Sequence, residues 1–189
     1  MRTGTVPLVT GVVAVGIAVA MTASGCTKQP PPLAPDPTPT VRPVFASDAE
    51  ALAAAEKAYA AYLRVNDQVA RDGGRNVQLL KPIETPRQFA YDSKSFGNFL
   101  SSHSHVSGHS KYHKFALQQA DSTADGGEVV KVYVCLDVSG TRVLNSRNQD
   151  VTPVGDEKLP LKVTFRSTSE APSRLLLDGS DVWSGTDFC

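Results

Sequence analysis

A regular alternation of apolar and polar side chains in the middle of this 189-residue chain constrains its fold more than any other feature. Apolar side chains occupy every second position from Val130 to Val138. The positions between them carry Lys131, Tyr133, Cys135 and Asp137. Successive side chains of a β-strand point to opposite faces of its sheet, so the pattern predicts a strand with one buried and one wetter face. Residues 159–165 repeat the alternation, which favours an antiparallel sheet that packs on one side only.

Turn signals on either side of these two strands indicate the rest of the sheet. The period changes to two from His109 onward, and residues 121–127 predict a hairpin turn. Residues 143–151 indicate a weaker strand or an excursion, and residues 174–183 one or two closing strands. We therefore expect an antiparallel sheet of about four strands.

Helices precede this sheet. Ser47 and Glu50 match a capping box, and Gly73-Gly74 marks the end of the helix that they begin. Its apolar stripe consists of Leu52, Ala55, Tyr59, Tyr62, Leu63 and Val69. Thr85 and Pro86 predict the start of a second, shorter helix. Helices followed by strands predict a single α+β domain over residues 47–189, with the N-terminal helices packed on a curved sheet. Tyr59 and Tyr62 could be plain core residues or could line a binding pocket.

Residues 1–25 have the pattern of a signal peptide. Arg2 precedes an uncharged apolar run from Val6 to Met21, which is short for a membrane-spanning helix, and small residues follow at once. Ala23-Ser24-Gly25-Cys26 resembles the bacterial lipobox. The resemblance implies that Cys26 carries diacylglyceryl and acyl (palmitate-type) chains, which would anchor the protein at the outer face of the cytoplasmic membrane. The alternative is an ordinary secretory leader with an incidental Cys26.

A proline-rich segment separates this leader from the predicted domain. Residues 26–46 contain seven prolines, at positions 30, 31, 32, 35, 37, 39 and 43. Such composition favours extended polyproline geometry, so we expect a disordered tether that holds the domain away from the membrane surface.

The three cysteines fit the same interpretation. Lipidation of Cys26 would leave Cys135 and Cys189 as a pair. In an oxidising compartment two leftover thiols in one domain are most simply a disulfide bond, and two free thiols are the alternative.

The order of these features resembles actinobacterial lipoproteins of the NTF2-like superfamily. The resemblance rests on the capped Ala-rich helix, the Val134-Cys135-Leu136-Asp137-Val138-Ser139 strand, and the terminal Trp183 and Cys189. It implies a cone-shaped sheet wrapped on helices, often as a homodimer, but no single activity, because members act as small-molecule enzymes, pocket binders or interaction modules. Enzymes of this kind place Asp or His inside the cone, which makes His113 and Asp137 the candidates; Asp137, however, shares the face opposite the valine row.

All four histidines lie within eleven residues, at His103, His105, His109 and His113, and suggest a metal site. A helix would stack His105, His109 and His113 at successive turns, whereas a strand would pair His103 with His105 and His109 with His113. No free cysteine or adjacent acid completes a ligand set. A polar loop that runs into an edge strand is the alternative. Trp183 could rim a binding cleft or cover an edge of the sheet.

These patterns favour a membrane-anchored extracytoplasmic lipoprotein whose noncatalytic domain binds an envelope protein or a small ligand. The alternatives are a small-molecule enzyme that uses His113 or Asp137 and an envelope metal binder that uses the four histidines. No cofactor motif is found, and no nucleic acid partner is expected because 19 basic and 19 acidic residues leave no positive excess.

Overall fold

The computed structural model describes residues 42–185 and 188–189. The predicted signal peptide, Cys26 and nearly all of the proline-rich segment lie outside these residues. Two helices precede six strands, which confirms the predicted α+β class. The elements are α1 (Asp48–Arg71), a 3-10 turn (Val77–Leu79), α2 (Pro86–Ser102), β1 (His105–Gly108), β2 (Lys111–Ser122), β3 (Glu128–Asp137), β4 (Thr141–Leu144), β5 (Lys158–Thr168) and β6 (Ala171–Val182). Among the described residues, no helix is both long and apolar enough to cross a membrane.

Both helices begin at the predicted caps. The hydroxyl of Ser47 accepts the N–H of Glu50 at 3.2 Å, and the carboxylate of Glu50 accepts the N–H of Ala46 at 2.8 Å. Thr85 accepts the N–H of Gln88 at the start of α2, where Pro86 occupies the first helical position. These bonds satisfy backbone donors that have no partner inside the helix, so local sequence fixes where each helix starts.

Four strands form an antiparallel sheet in the order β2-β3-β5-β6, as the alternation predicted. Residues 174–183, expected as one or two strands, fall largely within the single strand β6. The short strands β1 and β4 pair with each other in a separate two-stranded sheet. Residues 143–151, expected as a weaker strand or an excursion, form the end of β4 and the loop that follows it.

The valine row of β3 faces the helices. Val130, Val132 and Val134 are fully buried, together with Val163 and Phe165 of β5. On the helix side, this core is completed by Ala51, Ala55, Tyr59 and Leu63 of α1. Burial of these apolar side chains is the main favourable term that holds α1 to the sheet. The opposite face of the sheet carries Lys131, Tyr133, Cys135 and Asp137 of β3.

A second apolar cluster joins the end of α1 to α2. It consists of Val69, Ala70, Leu80 and Phe96. The backbone of Gly74 lies so close to the carbonyl group of Phe96 that no side chain fits between them, and Gly74 has a φ of +81°. Gly73-Gly74, predicted only to end the helix, therefore also allows the ends of α1 and α2 to meet.

Candidate functional site

A pocket of about 570 Å³ lies where α1 and α2 end, and we call it the helix-end pocket. Its lining combines basic, imidazole and small polar side chains with one leucine: Arg71, Asp72, Gly73, Arg75, Leu100, His103, Ser104 and His105. The volume lies within the range of about 300–1,000 Å³ that is usual for small-molecule sites.

Backbone geometry at two residues forms this pocket. Gly73 adopts a φ of +65°, and a Cβ atom there would lie 3.0 Å from the carbonyl oxygen of Ser104. His103 ends α2 in the left-handed conformation, with a φ of 54°. This reversal carries the chain from α2 into β1, so that His103 and His105 stand beside the end of α1.

One hydrogen bond links Arg71 to the β1–β2 loop beside the pocket. Its Nη1 lies 3.1 Å from Nδ1 of His109. A guanidinium group can only donate, so Nδ1 of His109 is the acceptor in this bond. The neighbouring Ser110 is fixed in turn, because its N–H and its hydroxyl both donate to the buried carboxylate of Asp67, at 3.0 and 2.9 Å.

The charges of the pocket are only partly neutralised. The Asp72 carboxylate accepts a hydrogen bond from Nδ2 of Asn76 at 2.8 Å. Arg75 is exposed, and its side chain makes no hydrogen bond or ion pair with any of the residues that the structure describes. Arg71 and Arg75 against Asp72 leave a net positive charge in the pocket with the histidines neutral.

The histidines do not gather around one point. His103 follows the last residue of α2 as its C-cap, His105 begins β1, His109 lies in the β1–β2 loop, and His113 lies on β2. Within residues 42–185 and 188–189, no three His, Cys, Asp or Glu side chains are arranged to share a metal ion. His103, His105 and the Arg71-bound His109 stand at or beside the helix-end pocket, whereas His113 lies on the outer face of the four-stranded sheet.

His113 and Asp137 form a pair on that outer face. The distance from Nε2 of His113 to Oδ2 of Asp137 is 3.2 Å, and 53% of the His113 side chain is exposed. Hydrogen bonds from the Ser139 hydroxyl and backbone N–H, followed by the bond from His113, lower the pKa of Asp137 to about 2. The valine row lies on the other side of β3, so this pair does not face the interior beneath the helices.

Cys135 and Cys189 are joined by a disulfide bond, with Cα atoms 5.1 Å apart and 54 positions between them in sequence. The bond fixes the C-terminus across the outer face of the sheet. The ring centroids of Tyr133 and Trp183 are 4.7 Å apart, and Phe188 packs against both rings. Trp183 therefore packs over the sheet beside the stapled terminus, with part of its surface still accessible.

The two tyrosines on the α1 stripe have different surroundings. Tyr59 is fully buried and packs on Tyr112 and Phe115. The hydroxyl of Tyr62 donates to Oδ2 of Asp92 at 3.2 Å, and burial with the adjacent Asp92 charge raises the pKa of Tyr62 well above its usual value. Tyr59 is thus a core residue, while Tyr62 belongs to a buried polar network.

That network contains a pair of buried acids, Glu84 and Asp92. Burial first, and then the adjacent Asp92 carboxylate, raises the pKa of Glu84 to about 9. Glu84 is therefore protonated at neutral pH. Neither of its oxygens has a hydrogen-bond partner among the described residues. Asp92 also accepts from Gln88 at 3.1 Å. Donors from two side chains, Tyr62 and Gln88, thus contact the Asp92 carboxylate.

No family model matches this chain, and no curated protein matches it. Among solved structures, it is similar to the intermembrane space region of the chloroplast protein ARC6, with a TM-score of 0.53 and 9% identity, covering 71% of this chain and 97% of that chain. It is also similar to a periplasmic fragment of TraM, with a TM-score of 0.47 and 14% identity, covering 72% of this chain and 96% of that chain. At such low identity, the likeness to the ARC6 region shows a shared fold alone.

Two groups of residues were not found from the sequence. Arg71 and Arg75 were not considered as site residues, because a basic residue in the last turn of a helix usually complements the helix dipole. The Glu84–Asp92 pair lies on either side of the start of α2. The only local signal was the spacing of four between Gln88 and Asp92, which places both on one face of that helix.

Proposed function

We propose that this chain is an exported protein, anchored by lipid on Cys26, whose α+β domain binds a small ligand in the helix-end pocket without catalysing a reaction. The observation that carries the binding proposal is the pocket itself. Its volume of about 570 Å³ suits a small molecule, and its polar side chains converge on it from both helix ends. Of the two binding modes expected from the sequence, a small ligand is thereby favoured over a protein.

The noncatalytic part of the proposal is supported by the surroundings of the candidate acids and bases. His113 and Asp137 lie on the outer face of the sheet, where half of the His113 side chain is exposed. The interior acids Glu84 and Asp92 are buried, and Asp92 accepts hydrogen bonds from Tyr62 and Gln88. Neither pair lines the helix-end pocket.

The anchoring part of the proposal rests on the sequence of residues 1–46. The lipobox-like Ala23-Ser24-Gly25-Cys26 and the proline-rich segment support a tethered extracytoplasmic domain. We also propose that the sheet and helices form the cone of the NTF2-like superfamily, supported by the capped N-terminal helix packed against one face of an antiparallel sheet.

Ligand binding is tested by native mass spectrometry of the full-length protein purified from a bacterium that exports it. We expect an added mass on the wild-type protein that is lost in the Leu100→Trp variant, because Leu100 lines the pocket and is half exposed. Leu79→Trp is the matched control, since Leu79 is similarly exposed and lies outside the pocket. Equal retention of the added mass by both variants would exclude this pocket as the binding site.

Anchoring is tested separately with Cys26→Ser. The wild-type protein should incorporate a labelled fatty acid and partition into the detergent phase, and the variant should do neither. Incorporation of the label by Cys26→Ser would show that the lipid is attached elsewhere.

A further inference from the structure

We propose that the ligand of the helix-end pocket is a small soluble anion, bound through a phosphate or carboxylate group between Arg71 and Arg75. This inference rests on the proposed function, since it names the chemical class of the ligand for the same pocket. It is drawn from the charges, the hydrogen-bond donors and the capping of the two helix ends.

Arg71 is held in position before any ligand arrives. Its guanidinium donates to Nδ1 of His109, whose neighbour Ser110 is bonded twice to Asp67. One contact uses only one of the five guanidinium N–H groups, so the others remain for a ligand. A guanidinium group matches the geometry of carboxylate and phosphate oxygens, and prior orientation lowers the entropy cost of binding.

Arg75 supplies the second positive charge, and its side chain is unpaired within the described part of the chain. The acid in the pocket lining, Asp72, accepts a hydrogen bond from Asn76. The described contacts thus pair Asp72 with an amide and with neither arginine. Two arginines against one acid favour an anionic ligand over a neutral or cationic one.

Hydrogen-bond donors complete the pocket. Besides the arginines, the donors that line the pocket are the ring N–H groups of His103 and His105. The Ser104 hydroxyl is engaged with Ser102, whose single hydrogen lies within reach of the Ser104 hydroxyl at 3.0 Å and of the Phe99 carbonyl oxygen at 3.1 Å. The imidazole N–H groups satisfy the oxygens of an anion that leaves water.

The last carbonyl groups of the two helices do not use the arginine side chains as hydrogen-bond donors. A helix C-terminus carries partial negative charge, and basic side chains often serve only to bond its last carbonyls. Here backbone N–H groups bond them. At α1, Gly73 donates to Ala70 at 3.1 Å and Gly74 to Val69 at 2.9 Å; at α2, Ser104 donates to Phe99 at 3.0 Å. The basic side chains are therefore available to a ligand.

The test is calorimetric titration of the full-length protein with inorganic phosphate and, separately, with succinate. Variants are Arg71→Gln and Arg75→Gln in the pocket, and Arg147→Gln in the exposed loop after β4 as a control of equal charge. Arg75→Lys keeps the charge without the two-pronged geometry. We expect saturable binding of at least one anion, weakened by about tenfold or more in Arg75→Gln and by less in Arg75→Lys. The preferred anion distinguishes phosphate from carboxylate ligands.

Equal weakening by Arg147→Gln would overturn the inference, because it would mean that net charge alone attracts the anion. So would the absence of saturable binding of either anion. If the added mass on the wild-type protein is then a neutral compound that Leu100→Trp excludes, the anion inference fails and the proposed function stands. If neither an added mass nor anion binding is found, both fail. Because the Arg75 side chain is exposed and makes no hydrogen bond or ion pair with the described residues, Arg75→Gln is expected to remain folded.

Discussion

Gly74 lies directly against the carbonyl group of Phe96, where the end of α1 meets α2. A Cβ atom at position 74 would overlap the Phe96 oxygen, and the φ of +81° is itself unfavourable for any residue with a side chain. We therefore expect Gly74→Ala to lower the free energy of unfolding by at least about 2 kcal/mol, from backbone strain together with the overlap. Urea unfolding followed by circular dichroism measures this change.

Gly97 provides the matched control. It lies inside α2, and a Cβ atom there would meet nothing within 4 Å. Gly97→Ala should raise the free energy of unfolding by about 0.5–1 kcal/mol, because alanine is the better helix former. Similar effects of both substitutions would contradict the close approach of the two helices.

The raised pKa of Glu84 makes the stability of the fold depend on pH. Glu84 binds its proton up to about pH 9 in the folded protein, whereas its ordinary value is 4.5. Between these values the folded state holds one more proton at this site than the unfolded state, so the free energy of unfolding falls as pH rises. The slope from this site is at most about 1.4 kcal/mol per pH unit.

Glu84→Gln should flatten this dependence, because glutamine binds no proton in this pH range. We expect the variant to be more stable than the wild type at pH 8 and closer to it at pH 5, as measured by thermal unfolding. Glu170→Gln, at an exposed turn, is the control. A wild-type stability curve that is flat between pH 5 and 9, or that Glu84→Gln leaves unchanged, would contradict the raised pKa of Glu84.

The predictable parts of this fold are those encoded within a few residues. Ser47 and Thr85 cap their helices through bonds to residues three positions away. The β3 alternation determines which side faces α1, since a shift by one residue would expose the valines. The two-stranded β1–β4 sheet was not predicted, because it pairs His105 with Leu144, 39 positions later. The site residues follow the same rule: Arg71 meets His109 only after the chain reverses at His103.

The Cys135–Cys189 bond should stabilise the domain by limiting the freedom of the unfolded chain. It closes a loop of 54 positions, for which about 2–4 kcal/mol is expected. We predict that Cys135→Ala with Cys189→Ala lowers the free energy of unfolding by this amount. Trp183, the single tryptophan, packs on Tyr133 beside the stapled end, so its fluorescence should shift to longer wavelength in the double variant.

Reduction of the wild-type protein should reproduce both effects, and the double variant should not respond to the reductant. Unchanged fluorescence in the reduced wild type would mean that aromatic packing alone holds Trp183 in place. A loss of stability without the fluorescence shift would mean that the disulfide bond acts only by restricting the unfolded chain and does not hold Trp183 in place.

The acid Asp137 offers a test of the contacts on the outer face. Its pKa of about 2 lies below the ordinary value of 3.8, so the stability that it contributes is present above about pH 4 and is lost as pH falls through about 2. The largest cause is bonding from Ser139, ahead of His113. Carbon-detected NMR titration should therefore show a larger rise of the Asp137 pKa in Ser139→Ala than in His113→Gln. A larger rise in His113→Gln would instead make the ion pair the dominant contact, and the two residues would then qualify as a coupled acid–base pair.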